Sequence, residues 1–153
     1  MDISGFYESY KVFYTEKVNY MIQPLYVFSD VGIAILRVVL GLIMIVHGWP
    51  KIKDIKGTAA WMGEKFKPGI FWAIVVSVAE FVGGIFLVVG LFTQLISFIL
   101  VIQFIVIILA MNLSKGFKGG YEFDLLIIAA ALALLVLGGG HYSLDGFWGI
   151  LIY

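Results

Sequence analysis

Between Ile70 and Gly90 the chain carries a single charge, Glu80, and three further stretches are almost as apolar: Asp30 to Trp49, Gln94 to Asn112 and Tyr121 to Gly138. A helix needs roughly 20 largely apolar residues to cross the hydrocarbon of a bilayer. Backbone polar groups in that layer have no water to bond, so each run is restricted to a helix in a closed bundle. The expected fold is therefore all-α, an integral membrane four-helix bundle with spans at about 30–49, 70–90, 94–112 and 121–138. Composition agrees: 62% of the 153 residues are hydrophobic and 13% charged, against about 45–50% and 25% in soluble domains. A net charge of zero gives no sign of a nucleic-acid partner, and the lipid bilayer is the partner the spans imply. The absence of cysteine excludes disulfides, thiol catalysis and cysteine-held iron–sulfur or zinc centres within the chain.

The first 29 residues lack the basic start, apolar core and small-residue cleavage site of a signal peptide. Phe6, Tyr10, Phe13, Lys17 and Tyr20 recur at helical spacing, which predicts an N-terminal interfacial amphipathic helix ending near Pro24. The chain thus divides into an interfacial segment, 1–29, and a four-span domain, 30–153. Spans two and three meet in a tight turn at Phe92 and Thr93. Spans one and two are joined by the long stretch Pro50 to Gly69, with a short helix expected from Thr58 to Phe66. Lysines concentrate on the side away from the N-terminal segment: Lys51, Lys53, Lys56, Lys65, Lys67, Lys115 and Lys118. The positive-inside rule places that side, with loops 50–69 and 113–120, in the cytoplasm.

Small and ionisable residues share helix faces. Arg37, Gly41, Met44 and Gly48 form one stripe, Ala73, Ser77, Glu80 and Gly84 a second, and Glu122, Ala129 and Ala133 a third. Small residues allow close helix approach in membranes, so these faces should point inward. With a rise of ~1.5 Å per residue, Arg37, Glu80 and Gln103 fall within roughly 5 Å of one level. A buried polar brace is expected, in which Arg37 pairs with Glu80 beside Gln103 and Asp145 folds back towards Arg37. Such a group serves either as a structural brace or as a ligand- or proton-handling site.

A second polar set lies at the lysine-rich end: His47, Trp49, Lys51, Asn112, Glu122 and Asp124. Imidazole exchanges a proton near neutral pH, so His47 is a candidate proton donor. The plainer alternative is that His47 bonds its own loop while Glu122 and Asp124 complement a helix N-terminus. His141 stands at the opposite end of the bundle, so one haem held by both histidines is not expected. No haem, flavin or metal motif, nucleotide-binding glycine loop or serine triad stands out.

Arg37 with Leu40-Gly41, His47-Gly48 and Lys51, then Glu80-Phe81-Val82-Gly83-Gly84 with Leu87 and Gly90-Leu91-Phe92-Thr93, resembles the DoxX/DoxD family of membrane proteins. Gly120-Tyr121-Glu122 and the closing Gly138-Gly139-Gly140 with Tyr142-Ser143-Leu144-Asp145 extend the resemblance over about residues 30–146. It implies a four-helix protein of a prokaryotic plasma membrane. It also implies quinone-linked redox chemistry, as in the membrane subunit of thiosulfate:quinone oxidoreductase. Quinone would then be the electron acceptor, since its carbonyls take up protons with electrons. On this reading His47 and Glu122 are the catalytic pair. Lys51, Trp49, Asn112 and Asp124 bind the head group, and Arg37, Glu80, Gln103 and Asp145 brace the interior. Electrons would arrive from thiosulfate or another small donor, through a soluble oxidoreductase, a second subunit or a homo-oligomer. Two other readings stay open: a non-enzymatic scaffold that docks a partner, and a proton-coupled small-molecule transporter using Glu80.

Overall fold

The computed structural model describes the backbone of residues 3–149 and the side chains of residues 28–149. Six α-helices follow in order: α1 (Ile3–Lys53), α2 (Ile55–Gly63), α3 (Gly69–Val89), α4 (Thr93–Ile107), α5 (Glu122–Leu137) and α6 (Leu144–Trp148). No strand occurs among the described residues. Four helical stretches are long and apolar enough to cross a membrane: Phe28–Lys53, Gly69–Val89, Thr93–Lys115 and Phe117–Leu137. They match the four expected spans with ends displaced by a few residues.

The largest departure is α1, which continues through Pro24 and Pro50 to Lys53 instead of ending at either proline. The apolar stripe expected on residues 1–29 lies outside the described side chains. Running past Pro50 keeps Lys51 on the helix, where it extends the stripe Arg37, Gly41, Met44, Gly48 by one more step. The chain then reverses. Asp54 caps α2 by accepting from Gly57 N at 2.9 Å, so the short helix starts about one turn before the expected Thr58. Thr58 Oγ1 donates back to Asp54 O at 2.9 Å. α2 lies along α3 and buries Met62.

The core is formed by Leu40 and Met44 of α1, Leu87 of α3, Leu100 and Phe104 of α4, and Ile127, Ala131 and Leu134 of α5. Outward faces such as Ile35, Val39, Leu42 and Val46 stay exposed and apolar, as hydrocarbon contact requires. The tightest packing is between α1 and α3. A Cβ on Gly41 would lie 2.7 Å from Gly84 O, a Cβ on Gly84 2.7 Å from Gly41 O, and a Cβ on Gly48 2.5 Å from Phe81 N. The two backbones touch, which only glycine permits there. The stripes on α1 and α3 therefore face inward, but the one expected on α5 does not: Glu122 and Ala129 are exposed, and the inward face is Asp124, Ile127, Ala131 and Leu134.

Between spans three and four, the expected loop 113–120 is mostly helical turn. α4 is prolonged by a wide turn at Ile108–Asn112 and a tight one at Leu113–Lys115, and the chain kinks at Lys118 and Gly119 before α5.

Substituting Gly84 by leucine should force α1 and α3 apart and lower stability by about 1–3 kcal/mol or more. Gly32→Ala, at a site with no atom within 4 Å of the new methyl, should be neutral. Thermal unfolding of both variants in one detergent checks the contrast.

Candidate functional site

Arg37 and Glu80 do not pair. Arg37 is 2% exposed and belongs to the end of the bundle where α3 turns into α4. Its Nη1 donates to Leu87 O at 2.7 Å and Val88 O at 3.0 Å, and its Nη2 to Tyr142 O at 2.6 Å. Leu87 and Val88 supply carbonyls from the last turn of α3, where helical bonding runs out; Leu87 O also accepts from Gly90 N at 3.2 Å. A cation there also complements the negative end of the helix dipole. α3 stops at Gly90, whose φ of 75° and tight contact with the guanidinium exclude a side chain.

Asp145 does fold back, as expected, but its carboxylate bonds the start of α4. Oδ1 accepts from Phe92 N and Oδ2 from Thr93 N, both at 2.8 Å, while Asp145 N donates to Gly90 O at 2.9 Å. Ser143 accepts from Gly146 N at 3.0 Å and so shapes the turn that delivers Asp145. The turn is thus held at both ends, by a cation on the C-terminus of α3 and an anion on the N-terminus of α4. The opposite charges of Arg37 and Asp145 also face each other across it.

Arg37 lies nearer the α3–α4 turn than expected, because Asp30 is not level with Gly90. Asp30 in fact accepts from His141 N at 3.2 Å, in the closing loop beyond the α3–α4 turn. Span one therefore sits further along the bundle, and Arg37 stands level with Leu87.

Glu80 takes its cation from the other direction. Lys51 Nζ contacts both Glu80 oxygens at 2.5 Å, and Gln103 Nε2 donates to Glu80 Oε1 at 2.8 Å. The Glu80 side chain is 1% exposed and that of Lys51 25%, so the pair reaches from the bundle interior towards the lysine-rich end. Removing one partner of such a pair is far more damaging than removing both. The expected Glu80–Gln103 contact is present; the Arg37 half of the brace is corrected to Lys51. The signal for this was Lys51 continuing the α1 stripe, obscured by reading Pro50 as a helix end.

Beside Gln103 lies a cleft of about 370 Å³, on the half of the α3–α4 seam away from their turn and roofed by the end of α2. Met62, Phe66, Trp72, Val76, Ile102 and Gln103 are among its walls, and Gln103 is the one amide among them. Gln103 joins the cleft to Glu80 behind it. Val75, Ile99, Ile102 and Val106 at its rim are exposed on the apolar outer surface. No sequence pattern signals this cleft, because it forms between helices and a single-helix pattern does not report their separation.

The remaining expected site residues divide among other places. His47 is exposed and stacks on Phe123 at 5.5 Å between ring centroids, on the α1–α5 seam. Glu122 is exposed and accepts from Gly119 N at 3.0 Å. Asp124, buried, accepts from Asn112 Nδ2 at 2.6 Å, and Asn112 Oδ1 accepts from Lys115 Nζ at 2.7 Å. Trp49 packs on Phe81, with Lys53 above its ring. Lys51 alone of this set reaches Glu80. Among the described residues no three His, Asp or Glu side chains converge as metal ligands would.

Asp145→Ala removes two bonds to the first turn of α4 and should lower stability by about 1–3 kcal/mol. Asp145→Asn, which keeps one acceptor oxygen, should lose less. Chemical unfolding followed by tryptophan fluorescence measures both.

The chain matches the DoxX family over residues 32–113. It is 31% identical over 118 residues to the Bacillus subtilis (strain 168) protein described as "Putative oxidoreductase CatD", covering 77% of this chain and 87% of that one. It is 28% identical over 123 residues to "Inner membrane protein YqjF" of Escherichia coli (strain K12), covering 76% and 92%. No solved structure matches it. The match includes Arg37, Lys51, Glu80 and Gln103, and the chain belongs to the DoxX family of membrane proteins.

Proposed function

We propose that this protein is the membrane subunit of a quinone-linked oxidoreductase and that the quinone head group binds in the α3–α4 cleft. The observation that carries this reading is an apolar recess at membrane depth with one amide at its back. A quinone is a flat apolar ring with two carbonyls on an apolar tail. Most ligand sites are likewise apolar with a few placed polar groups. Trp72 and Phe66 offer aromatic faces to the ring. The Gln103 amide spends one N–H on Glu80; its second N–H suits a quinone carbonyl, and its Oε1 suits the hydroxyl of the quinol. The exposed rim gives the tail a lateral route from lipid.

The similarity to a described oxidoreductase supports the reaction class. Electrons are supplied by a partner, a soluble oxidoreductase or a second subunit, from thiosulfate or another small reductant. The lysine-rich loops 50–69 and 113–120 face the cytoplasm in this account, in keeping with the positive-inside rule. His47 and Glu122, on other parts of the bundle, do not contact the head group.

Two measurements check the proposal. Binding of a short-chain benzoquinone to protein in nanodiscs should weaken about tenfold in Gln103→Leu, the loss of one hydrogen bond, and stay unchanged in His47→Ala. Equal weakening in both, or in His47→Ala alone, rejects the cleft. For orientation, the native chain has no cysteine, so a single Lys118→Cys variant can be labelled cleanly. A membrane-impermeant maleimide should modify it only after the cytoplasmic face is opened.

A further inference from the structure

We infer that Lys51 and Glu80 form a proton relay from the lysine-rich end of the bundle to the α3–α4 cleft. The inference rests on the cleft being the quinone site. It begins from an imbalance in the ion pair. Glu80 is buried, while Lys51 is a quarter exposed at the end of its span. A cation that keeps contact with water lowers the desolvation cost of the pair, and the same contact lets it exchange protons with the lysine-rich face. Here the cation keeps contact with the surface, and the anion contacts the amide that lines the cleft.

The groups facing Glu80 are few. α1 supplies Lys51 and α4 supplies Gln103. On α3 itself, Ser77 uses its hydroxyl on Ala73 O at 2.6 Å. α2 turns the apolar Met62 towards this region. Among the described residues, Lys51 is thus the one titratable side chain in contact with Glu80. The Lys51 backbone O also accepts from Thr58 Oγ1 at 3.3 Å, which ties the end of α1 to α2.

Reduction converts each quinone C=O to C–OH and needs two electrons and two protons for the pair. The electrons come from a reduced carrier on a partner, such as a dihydroflavin, or from an electrode in the test. For each proton, the Lys51 ammonium transfers H⁺ to the Glu80 carboxylate, leaving a neutral amine and a neutral acid. Glu80 then delivers H⁺ to a carbonyl oxygen held by Gln103, directly or over one water, and its carboxylate is restored. The Lys51 amine recovers H⁺ from water at the lysine-rich face. A second passage supplies the other oxygen. A buried ion pair is suited to this exchange, because neutralising both members together leaves no unpaired charge. Glu80 is the residue that hands over the proton, and Lys51 is the one that reloads it.

Electrochemically induced infrared difference spectroscopy tests the relay. Protein in nanodiscs, loaded with a short-chain benzoquinone, is reduced at an electrode while a surface pH dye reports proton uptake. Wild type should show a protonated-carboxyl band during reduction, absent in Glu80→Gln, with proton uptake slowed about 10²-fold. Because Glu80→Gln leaves the Lys51 ammonium unmatched, the double variant E80Q/K51M provides a neutral interior; it should fold, bind quinone and lack the band. Lys51→Arg keeps the charge but does not deprotonate, so it should bind quinone and slow uptake similarly. Quinone binding with an unchanged band and uptake rate in Glu80→Gln or E80Q/K51M overturns the relay and leaves the cleft reading standing. Wild-type uptake in Lys51→Arg also overturns it. Absence of quinone binding by the wild type overturns the cleft reading and the relay together.

Discussion

A carboxylate in the middle of a membrane bundle has to be matched, and much of this structure follows from how Glu80 is matched. Its cation, Lys51, lies on a different helix 29 residues earlier. For the two to meet, α1 has to run past Pro50 and press against α3. Gly41, Gly48 and Gly84 allow that approach. Packing and electrostatics are therefore one problem on these two helices: without the glycine contacts the pair could not close, and without the pair Glu80 would be an uncompensated charge. Gln103 adds a bond from α4 and links the buried charge to the cleft, whose wall its amide forms.

The other end of the bundle has its own polar solution. Arg37 and Asp145 do not primarily neutralise a buried side chain. They satisfy backbone groups, the last carbonyls of α3 and the first amides of α4. A tight turn at the membrane boundary exposes those groups with little water to meet them. The closing loop, with Ser143 and the glycines before it, carries Asp145 back across the turn. This end holds the helices in register. The opposite half, where α3 and α4 diverge under α2, has room for a ligand. Rigidity at one end and a recess towards the other is an arrangement suited to a binding bundle.

The number, order and approximate limits of the spans were legible because hydrocarbon thickness dictates a length and an apolar composition. So were the inward stripes of α1 and α3 and the return of Asp145, but not the face of α5, where Asp124 and Ala131 point inward in place of Glu122 and Ala129. The identity of Glu80's partner was not, for two physical reasons. Helices slide along one another, so equal counts from assumed ends do not give equal depth; Asp30 proved level with the His141 loop. Pro50 ends no helix here, so Lys51 was read as loop although it falls on the stripe that begins at Arg37. The cleft was invisible for a third reason. It arises from the divergence of α3 and α4 and from α2 doubling back, none of which a single-helix pattern records. His47 and Glu122 illustrate the same limit: both are at the lysine-rich end, yet one rests on Phe123 and the other on Gly119 N.

Occupancy of the recess beside Gln103 by quinone is decided by photoaffinity labelling with an azidoquinone, followed by mass spectrometry of the labelled peptides. Saturable labelling is expected within residues 72–76 of α3 and 99–107 of α4, competed by unmodified quinone. Saturable labelling centred on His47 and Phe123, or labelling that unmodified quinone does not displace, would contradict it.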